Sequence, residues 1–212
     1  MRIINVIDLP IPDCKRICFS RFLDHRGYFT EVFKHSDFKT SNELSFLRKY
    51  SIVQSNESYS KKGVIRGLHI QWNPFQGKLV RTLFGRMVDY FIDLRIDSEY
   101  FGKAFMVDMP TDNNNRQSEW LWLPPGIAHG NFYLENSKIE YLCTGEYNPN
   151  GEFSINPLCD EIDYALCNDE LLKSFQDLKN NNPIISNKDL YGYSLTEWLD
   201  MPESKLFKKK NR

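Results

Sequence analysis

The sequence predicts an all-β fold, an antiparallel double-sheet barrel (jelly roll) with short flanking helices. Short apolar or alternating runs recur along the chain, and glycine-containing breaks separate many of them. In chain order, these runs predict strands at 14–19, 28–33, 50–55, 79–84, 86–94, 103–109, 118–123, 131–134 and 138–143. The 212 residues are assigned to one domain, 1–212, because β-barrels often exceed the usual domain length.

Turn chemistry and helical periodicity add elements to these strands. Gly85 lies between two apolar runs and can adopt a positive φ, so residues 83–87 are expected to form a tight hairpin. A first helix is expected at 41–48, entered through 35–38.

A second helix is expected near the C-terminus. Residues 169–178 have helical composition, and either Asn168 or Asp169 can cap them. The region 168–182 is interpreted as a helical insertion into the single domain.

Composition excludes several classes of protein. Lysine and arginine total 27 against 28 acidic residues, so no global field favours nucleic acid or a membrane surface. The basic residues of 205–212 are expected to form a solvated tail. The five cysteines contain no C-x-x-C pair, which favours free thiols in the cytoplasm. The N-terminus has no apolar signal region, and no run of about 18 apolar residues predicts a membrane span.

Two motifs together match the metal pattern of small cupin-type barrels, except at one ligand. Residues 63–71 fit G-x5-H-x-H with Gln71 in place of the second histidine, and residues 124–129 fit P-x-G-x-x-H. A zinc or iron site needs about three or four converging ligands. His69 and His129 supply only two, and the nearby Lys78 would repel a cation. We therefore expect no metal and no cofactor, and a pocket that uses its side chains directly for acid–base chemistry.

The chain resembles the nucleotide-sugar 3,5-epimerases that act on 4-keto-6-deoxy hexoses. The motifs that carry the resemblance are D-H-R-G-Y-F-T-E at 24–31, Q-S-N-E-S at 54–58, R-G-L-H-I-Q at 66–71, Q-G-K-L-V-R at 76–81, P-P-G-I-A-H-G at 124–130 and I-S-N-K-D at 185–189. They occur in the family's order and extend over roughly residues 1–198. The resemblance implies an isomerase that inverts C3 and C5 of the sugar through an enolate, without a metal.

His69 is the candidate general base. Histidine has an unperturbed pKa near neutrality, which suits proton abstraction at physiological pH. A carboxylate on the other ring nitrogen would fix the tautomer and stabilise the imidazolium. The resemblance assigns this carboxylate to Asp189, and Asp163 is the alternative.

Lys78 and Tyr147 are the other candidate catalytic residues. A lysine inside a barrel is costly unless an anion meets it, and an enolate oxygen is such an anion. The resemblance makes Tyr147 the acid that returns a proton from the face opposite His69. Tyr141, on the preceding strand, is the next candidate.

Arginines are the candidates for the substrate's diphosphate because guanidinium groups pair bidentately with phosphate oxygens. Arg26 and Arg66 match the family pattern and are favoured over Arg116. The resemblance adds further substrate-binding residues, which are Phe29, Glu31, Gln54, Asn56 and His129. Phe29 is expected to act across the interface of a homodimer. His129 either orients the sugar or is a core histidine bonded to backbone.

Two departures from the family pattern leave details open. Asn131 follows Ala128-His-Gly130 where the family has phenylalanine, and the family's tryptophan-rich segment is degraded at 155–164. The nucleotide, thymidine or guanosine diphosphate, and the number of inverted centres therefore stay open. A C3-only epimerase and a non-catalytic barrel that binds a sugar nucleotide are the alternatives.

Overall fold

The computed structural model of the protein describes residues 1–208 and confirms the antiparallel double-sheet architecture. The strands are β1 Ile3–Asp8, β2 Lys15–Ser20, β3 Phe22–Asp24, β4 Gly27–Phe29, β5 Gln54–Ser60, β6 Ile65–Gln71, β7 Lys78–Phe84, β8 Arg86–Asp93, β9 Ala104–Pro110, β10 Gln117–Leu123, β11 Ile127–Tyr133, β12 Ser137–Cys143 and β13 Glu152–Ser154. The first sheet has the order β1-β2-β10-β7-β12-β5, and the second has the order β13-β6-β11-β8-β9. A separate two-stranded ribbon pairs β3 with β4.

Most predicted strands are present, with shifted ends. The prediction at 28–33 is wrong beyond Phe29, and the prediction at 50–55 is wrong before Gln54. Both segments leave the ladder to run over the outer face of the first sheet, where Val32 and Ile52 pack. The short strands β3 and β13 gave no signal in the sequence because three residues are too few for a visible alternation.

The predicted hairpin at 83–87 is wrong. Gly85 does adopt a positive φ of 81°, and a Cβ there would lie 2.2 Å from the backbone oxygen of Asn136. However, β7 pairs with β10 and β12 in the first sheet, whereas β8 pairs with β9 and β11 in the second. Gly85 therefore makes a tight corner that carries the chain from one sheet to the other.

The helices are short and lie outside the sheets. They are α1 His35–Thr40, α2 Asp169–Asn180, α3 Asn187–Leu190 and α4 Leu195–Asp200, with 3-10 turns at Ser45–Leu47, Pro149–Gly151 and Pro202–Leu206. The helix predicted at 41–48 is wrong, since Ser41 is extended and ends α1 and Ser45–Leu47 forms only a 3-10 turn, whereas the predicted entry at 35–38 is helical. The second helix is confirmed, and Asn168 caps it by accepting from two backbone amides. No helix in the described part of the chain is long and apolar enough to cross a membrane.

The prediction of a solvated basic tail at 205–212 is wrong at the beginning of that range. Lys205 lies in a 3-10 turn, and Phe207 is buried against Trp198, with ring centroids 5.7 Å apart. An apolar anchor holds this segment on the fold, which charge content alone did not reveal. The remainder of the predicted tail, at 209–212, lies outside the described residues.

Apolar side chains form three layers. The inner layer fills the space between the sheets, and an outer layer covers each sheet. Alternation along β8 shows the arrangement, because Met87 and Phe91 join the inner layer while Val88 and Tyr90 face outward. The C-terminal helices cover the outer face of the second sheet, and residues 30–52 cover the first. The central strands of both sheets are therefore buried on both faces, and the site opens between the sheets.

We predict that Phe175→Ala destabilises the fold by about 3–5 kcal/mol. Phe175 is the buried residue of α2 that faces the second sheet. Its ring centroid lies 5.1 Å from that of Tyr90 and 5.3 Å from that of Phe132. Urea unfolding measures the loss, and Lys173→Ala on the exposed side of the same helix should stay within about 0.5 kcal/mol of wild type. Equal effects of the two substitutions would show that α2 does not anchor the outer layer.

Candidate active site

A β-bulge on β6 aims two functional side chains into one cavity. In the register with β11, His129 pairs with His69 and Asn131 pairs with Arg66. The two-residue step from 129 to 131 on β11 thus lies opposite a three-residue step from 66 to 69 on β6. One extra residue is therefore inserted in β6. Because of this insertion, Arg66 and His69 face the same side although their odd spacing would otherwise separate them. Gly67 sits in the bulge with a φ of 94°, and a Cβ there would lie 2.6 Å from a backbone oxygen.

The bulge opens onto a cavity of about 310 Å³ between the two sheets. The first sheet contributes Gln54, Asn56, Ser58, Lys78, Ile139 and Tyr141, the second sheet contributes Arg66, His69, His129, Gly130, Asn131 and Glu152, and loops and α3 contribute Gln76, Tyr147 and Lys188. The structure therefore brings together seven of the predicted site residues, which are Gln54, Asn56, Arg66, His69, Lys78, His129 and Tyr147.

Asp189 lies behind His69. Its Oδ1 is 2.7 Å from His69 Nε2 and accepts from Ser154 Oγ at 3.1 Å, while its Oδ2 accepts from the Gly67 N–H at 3.2 Å. Burial alone would raise the pKa of Asp189, but the bonds from His69 and the Gly67 amide hold it below its usual value. The alternative partner, Asp163, instead accepts from the backbone N–H of Ala165.

Lys78 is a buried cation on the opposite sheet. It begins β7 and pairs in register with Cys143 of β12. Burial lowers the pKa of Lys78, and the carboxylates of Glu152 and Asp89 oppose this effect only in part. A negative charge that develops in the cavity would therefore find a poorly solvated ammonium group.

The second barrel histidine is bonded to a carboxylate rather than to backbone. His129 Nε2 lies 2.8 Å from Oδ2 of Asp89, a fully buried residue of β8. Burial lowers the pKa of His129, although Asp89 acts in the opposite direction. The neutral imidazole is therefore favoured. Asp89 had no assigned role in the sequence analysis, although an aspartate within an apolar strand was a visible signal.

Two glutamine side chains hold the loop that carries Tyr147. Gln71 Nε2 donates to the backbone oxygen of Glu146 at 2.9 Å, and its Oε1 accepts from the Asn148 N–H at 2.9 Å. Gln54 Oε1 accepts from the Tyr147 N–H at 2.8 Å. The residue in the second-ligand position of the metal pattern thus clamps a loop. Within residues 1–208, no group of three His, Cys, Asp or Glu side chains could hold a metal ion.

Arg66 is the predicted arginine that reaches the cavity. Ser60 Oγ and the Tyr59 backbone oxygen hold its guanidinium at 2.8 and 3.2 Å. The expected residues Arg26, Phe29 and Glu31 do not line the cavity of their own chain, and neither does Arg116.

Arg26 and Phe29 lie on the exposed β3–β4 ribbon, and Glu31 lies just after this ribbon in the chain. Arg26 pairs with Asp24 at 2.7 Å, Phe29 is 67% exposed, and Glu31 lies 3.2 Å from the N-terminal amine. These side chains are thus presented to solvent on one side of the molecule.

Lys188 and Glu152 line the cavity and were missed in the sequence. Lys188 of α3 forms an ion pair with Glu152 of β13. The lysine lay inside the quoted I-S-N-K-D motif, next to Asp189, and that proximity was the available signal. Glu152 gave no signal in the sequence, because its position in the cavity depends on the pairing of β13 with β6.

Comparison with known proteins gives a consistent result. A family model described as dTDP-4-dehydrorhamnose 3,5-epimerase matches residues 8–197. The chain is similar to the dTDP-4-dehydrorhamnose 3,5-epimerase of Shigella flexneri, with 34% identity over 195 residues that cover 91% of this chain and 97% of that protein. A Neisseria gonorrhoeae protein of the same name is 38% identical over 149 residues, which are 70% of this chain and 43% of that longer protein.

A solved structure is similar over almost the whole chain. It is the dTDP-6-deoxy-D-glucose-3,5-epimerase of Legionella pneumophila in complex with dTDP-4-keto-L-rhamnose. The TM-score is 0.77 at 31% identity, covering 98% of this chain and 99% of that one.

We predict that Asp189→Asn costs about 2 kcal/mol of folding stability at pH 7, because an amide nitrogen cannot accept the hydrogen bonds that the carboxylate receives. The lowered pKa of Asp189 means that its contribution is complete above the unfolded value of about 4 and is lost as the pH falls through the folded value. Urea unfolding between pH 7 and pH 3 should therefore show wild type and variant converging in acid.

Asp163→Asn is the matched control, since the carboxylate of this exposed aspartate accepts from the Ala165 N–H within its own turn. Its unfolding free energy should stay within about 0.5 kcal/mol of wild type. A difference between Asp189→Asn and wild type that persisted unchanged to pH 3 would contradict the assigned charge state.

Proposed function

The chain belongs to the dTDP-4-dehydrorhamnose 3,5-epimerase family, and from this membership we propose that it epimerises a dTDP-linked 4-keto-6-deoxy sugar at C3 and C5. The observation that carries the proposal is the His69–Asp189 pair, which shares one cavity with the buried Lys78. The ketone at C4 acidifies the protons on both neighbouring carbons. The enzyme is thus an isomerase that needs one base, one acid and a stabilised enolate.

His69 removes the proton. With Nε2 bonded to Asp189, the imidazole presents Nδ1 to the substrate. The carboxylate stabilises the imidazolium that forms, as in other histidine–carboxylate pairs. Ser154 and the Gly67 amide keep Asp189 in place, so the pair is oriented before the substrate arrives.

Lys78 holds the negative charge that moves onto the oxygen at C4. A preorganised cation in a site of low polarity stabilises such a charge more strongly than water does. Neutral His129 faces the same cavity and orients the sugar. Tyr147, on its clamped loop, returns a proton to the opposite face of the carbon, which inverts the centre.

Arg66 binds the diphosphate from the edge of the second sheet. Its guanidinium is exposed and held in one orientation, which suits bidentate pairing with phosphate oxygens. Gln54 and Asn56 face the cavity from β5, and Gln54 donates to Asn56 at 2.8 Å. Because Gln54 is also bonded to the Tyr147 amide, it positions the Tyr147 loop in addition to lining the substrate site.

The proposal extends to the assembly and its compartment. The described residues 1–208 form one domain with 168–182 as an insertion, and two chains associate as a homodimer. In this dimer, Arg26, Phe29 and Glu31 reach the partner's cavity, and their exposure outside their own cavity supports this role. All five cysteines are free, which supports a cytoplasmic location because structural disulfides are rare there.

We predict that His69→Asn abolishes both turnover and the exchange of substrate protons with deuterated solvent, because no proton can leave C3 or C5. Tyr147→Phe keeps the ring but loses the donor, so exchange should continue while epimerisation falls by about 10²–10⁴-fold. Mass spectrometry counts the deuterons, one for each centre, and nuclear magnetic resonance reports inversion.

Tyr191→Phe is the matched control, since Tyr191 is 81% exposed and does not line the cavity. It should exchange and epimerise as wild type does. Dialysis against a strong chelator should change neither rate. Epimerisation by Tyr147→Phe at the wild-type rate would move the acid to another residue, and Tyr141 would be tested next.

The dimer proposal predicts complementation between two inactive variants. When chains carrying His69→Ala are mixed with chains carrying Arg26→Ala, each mixed dimer has one site with both residues intact. Random exchange in a twofold-symmetric dimer then restores about a quarter of wild-type activity. A mixture no more active than its parents would show that Arg26 serves its own chain or none.

A further inference from the structure

Asn131 carries a buried amide with an unused acceptor. The side chain is only 3% exposed and lines the cavity, and its Oδ1 has no hydrogen-bond partner among residues 1–208. Buried polar atoms nearly always have a hydrogen-bond partner, because a hydrogen bond left unmade in the interior lowers stability. An exception on the wall of a ligand cavity points to a partner that arrives with the ligand.

A second unused acceptor lies beside it. Asp89 is the register partner of Asn131 on β8, and both side chains face the space between the sheets. Oδ2 of Asp89 is bonded to His129, whereas its Oδ1 has no partner in the described part of the chain. Asp89 does not line the cavity, and both unpaired oxygens are sealed from solvent. A half-turn of the Asn131 amide would let its Nδ2 donate to Asp89 and turn its Oδ1 into the cavity, where it favours a ligand group that donates.

The register fixes where this corner lies relative to the chemistry. His129 and His69 form one row across the second sheet, and Asn131 and Arg66 form the next. Adjacent same-face rows on a strand are about 6–7 Å apart. Asn131 therefore lies one row from the base, in the row of the arginine assigned to the diphosphate.

The sugar has hydroxyl donors on C2 and C3, and the one on C2 lies nearer the diphosphate. C1 carries the diphosphate and C3 is a reacting carbon, so C2 is the ring carbon between them. A hydroxyl on C2 is therefore the donor that lies between the row of Arg66 and the row of His69.

We propose that Asn131 determines specificity for a substrate with a hydroxyl on C2, by accepting a hydrogen bond from that hydroxyl. The inference rests on the proposed function, because it takes the sugar's orientation from Arg66 and His69. A site built to bond a hydroxyl rejects the analogue that lacks it, since its buried polar atom is then left unpaired.

The test measures affinity rather than turnover. His69→Asn serves as the background, so that the ligand is not altered during calorimetric titration. The two ligands are dTDP-4-keto-6-deoxyglucose and its 2-deoxy analogue. With Asn131 present, the 2-hydroxy ligand should bind about 10- to 100-fold more tightly.

Two further variants isolate the contact. Asn131→Leu has nearly the same shape and no acceptor, so it should bind both ligands with similar affinity. Ile139→Val also alters the cavity wall, but it removes no polar atom and should keep the preference. Circular dichroism of each variant shows whether it is folded.

The outcomes separate this inference from the proposed function. A preference for the 2-hydroxy ligand that survives in Asn131→Leu would place the contact on another residue. Equal affinities with Asn131 in place would overturn the inference even if Asn131→Leu failed to fold. Failure to bind either dTDP-sugar would overturn the proposed function itself, and the inference with it.

Discussion

The bulge at Gly67 is the constraint on which the site depends. It shifts the alternation of β6 by one residue, so that Arg66 and His69 face one cavity. It also takes the Gly67 N–H out of the ladder and turns it toward Asp189. One backbone irregularity therefore places the proposed base, orients its carboxylate and sets the distance between His69 and the arginine proposed to bind the diphosphate. A side chain at Gly67 would collide with β11, which is why this position needs glycine.

The surrounding barrel makes this geometry rigid, and it also makes the burial of the site's charged groups unfavourable. Apolar layers cover the central strands of both sheets, and Asp89, Lys78 and Asp189 are all buried. Two of the three are offset by a histidine partner. The buried charge of Lys78 has no such partner among residues 1–208, and burial lowers the pKa of this lysine. The fold thus stores an unfavourable interaction at the point where an anionic intermediate would relieve it, which is how electrostatic preorganisation favours a transition state over a ground state.

The sequence revealed the residue types of the site more readily than their arrangement. Motif spacing identified His69, Lys78 and His129, and the two-sheet barrel followed from recurring short runs. The corner at Gly85 was mistaken for a hairpin, because a positive φ indicates a turn but not the strand that pairs beyond it. Likewise, Glu152 and Asn131 enter the site through strand register and a bulge. Such non-local pairings leave no trace in local periodicity.

Gln71 shows how a position in the metal pattern can acquire another use. A metal site would need a ligand there, whereas the amide side chain bonds two backbone groups of the loop that carries Tyr147. The proposed base and the proposed acid are consequently held by different structural features, the bulge for His69 and the glutamine clamp for Tyr147. Inversion requires the two groups to act on opposite faces of one carbon without neutralising each other. Separate supports on β6 and on the loop after β12 meet that requirement, because each group can be fixed without moving the other.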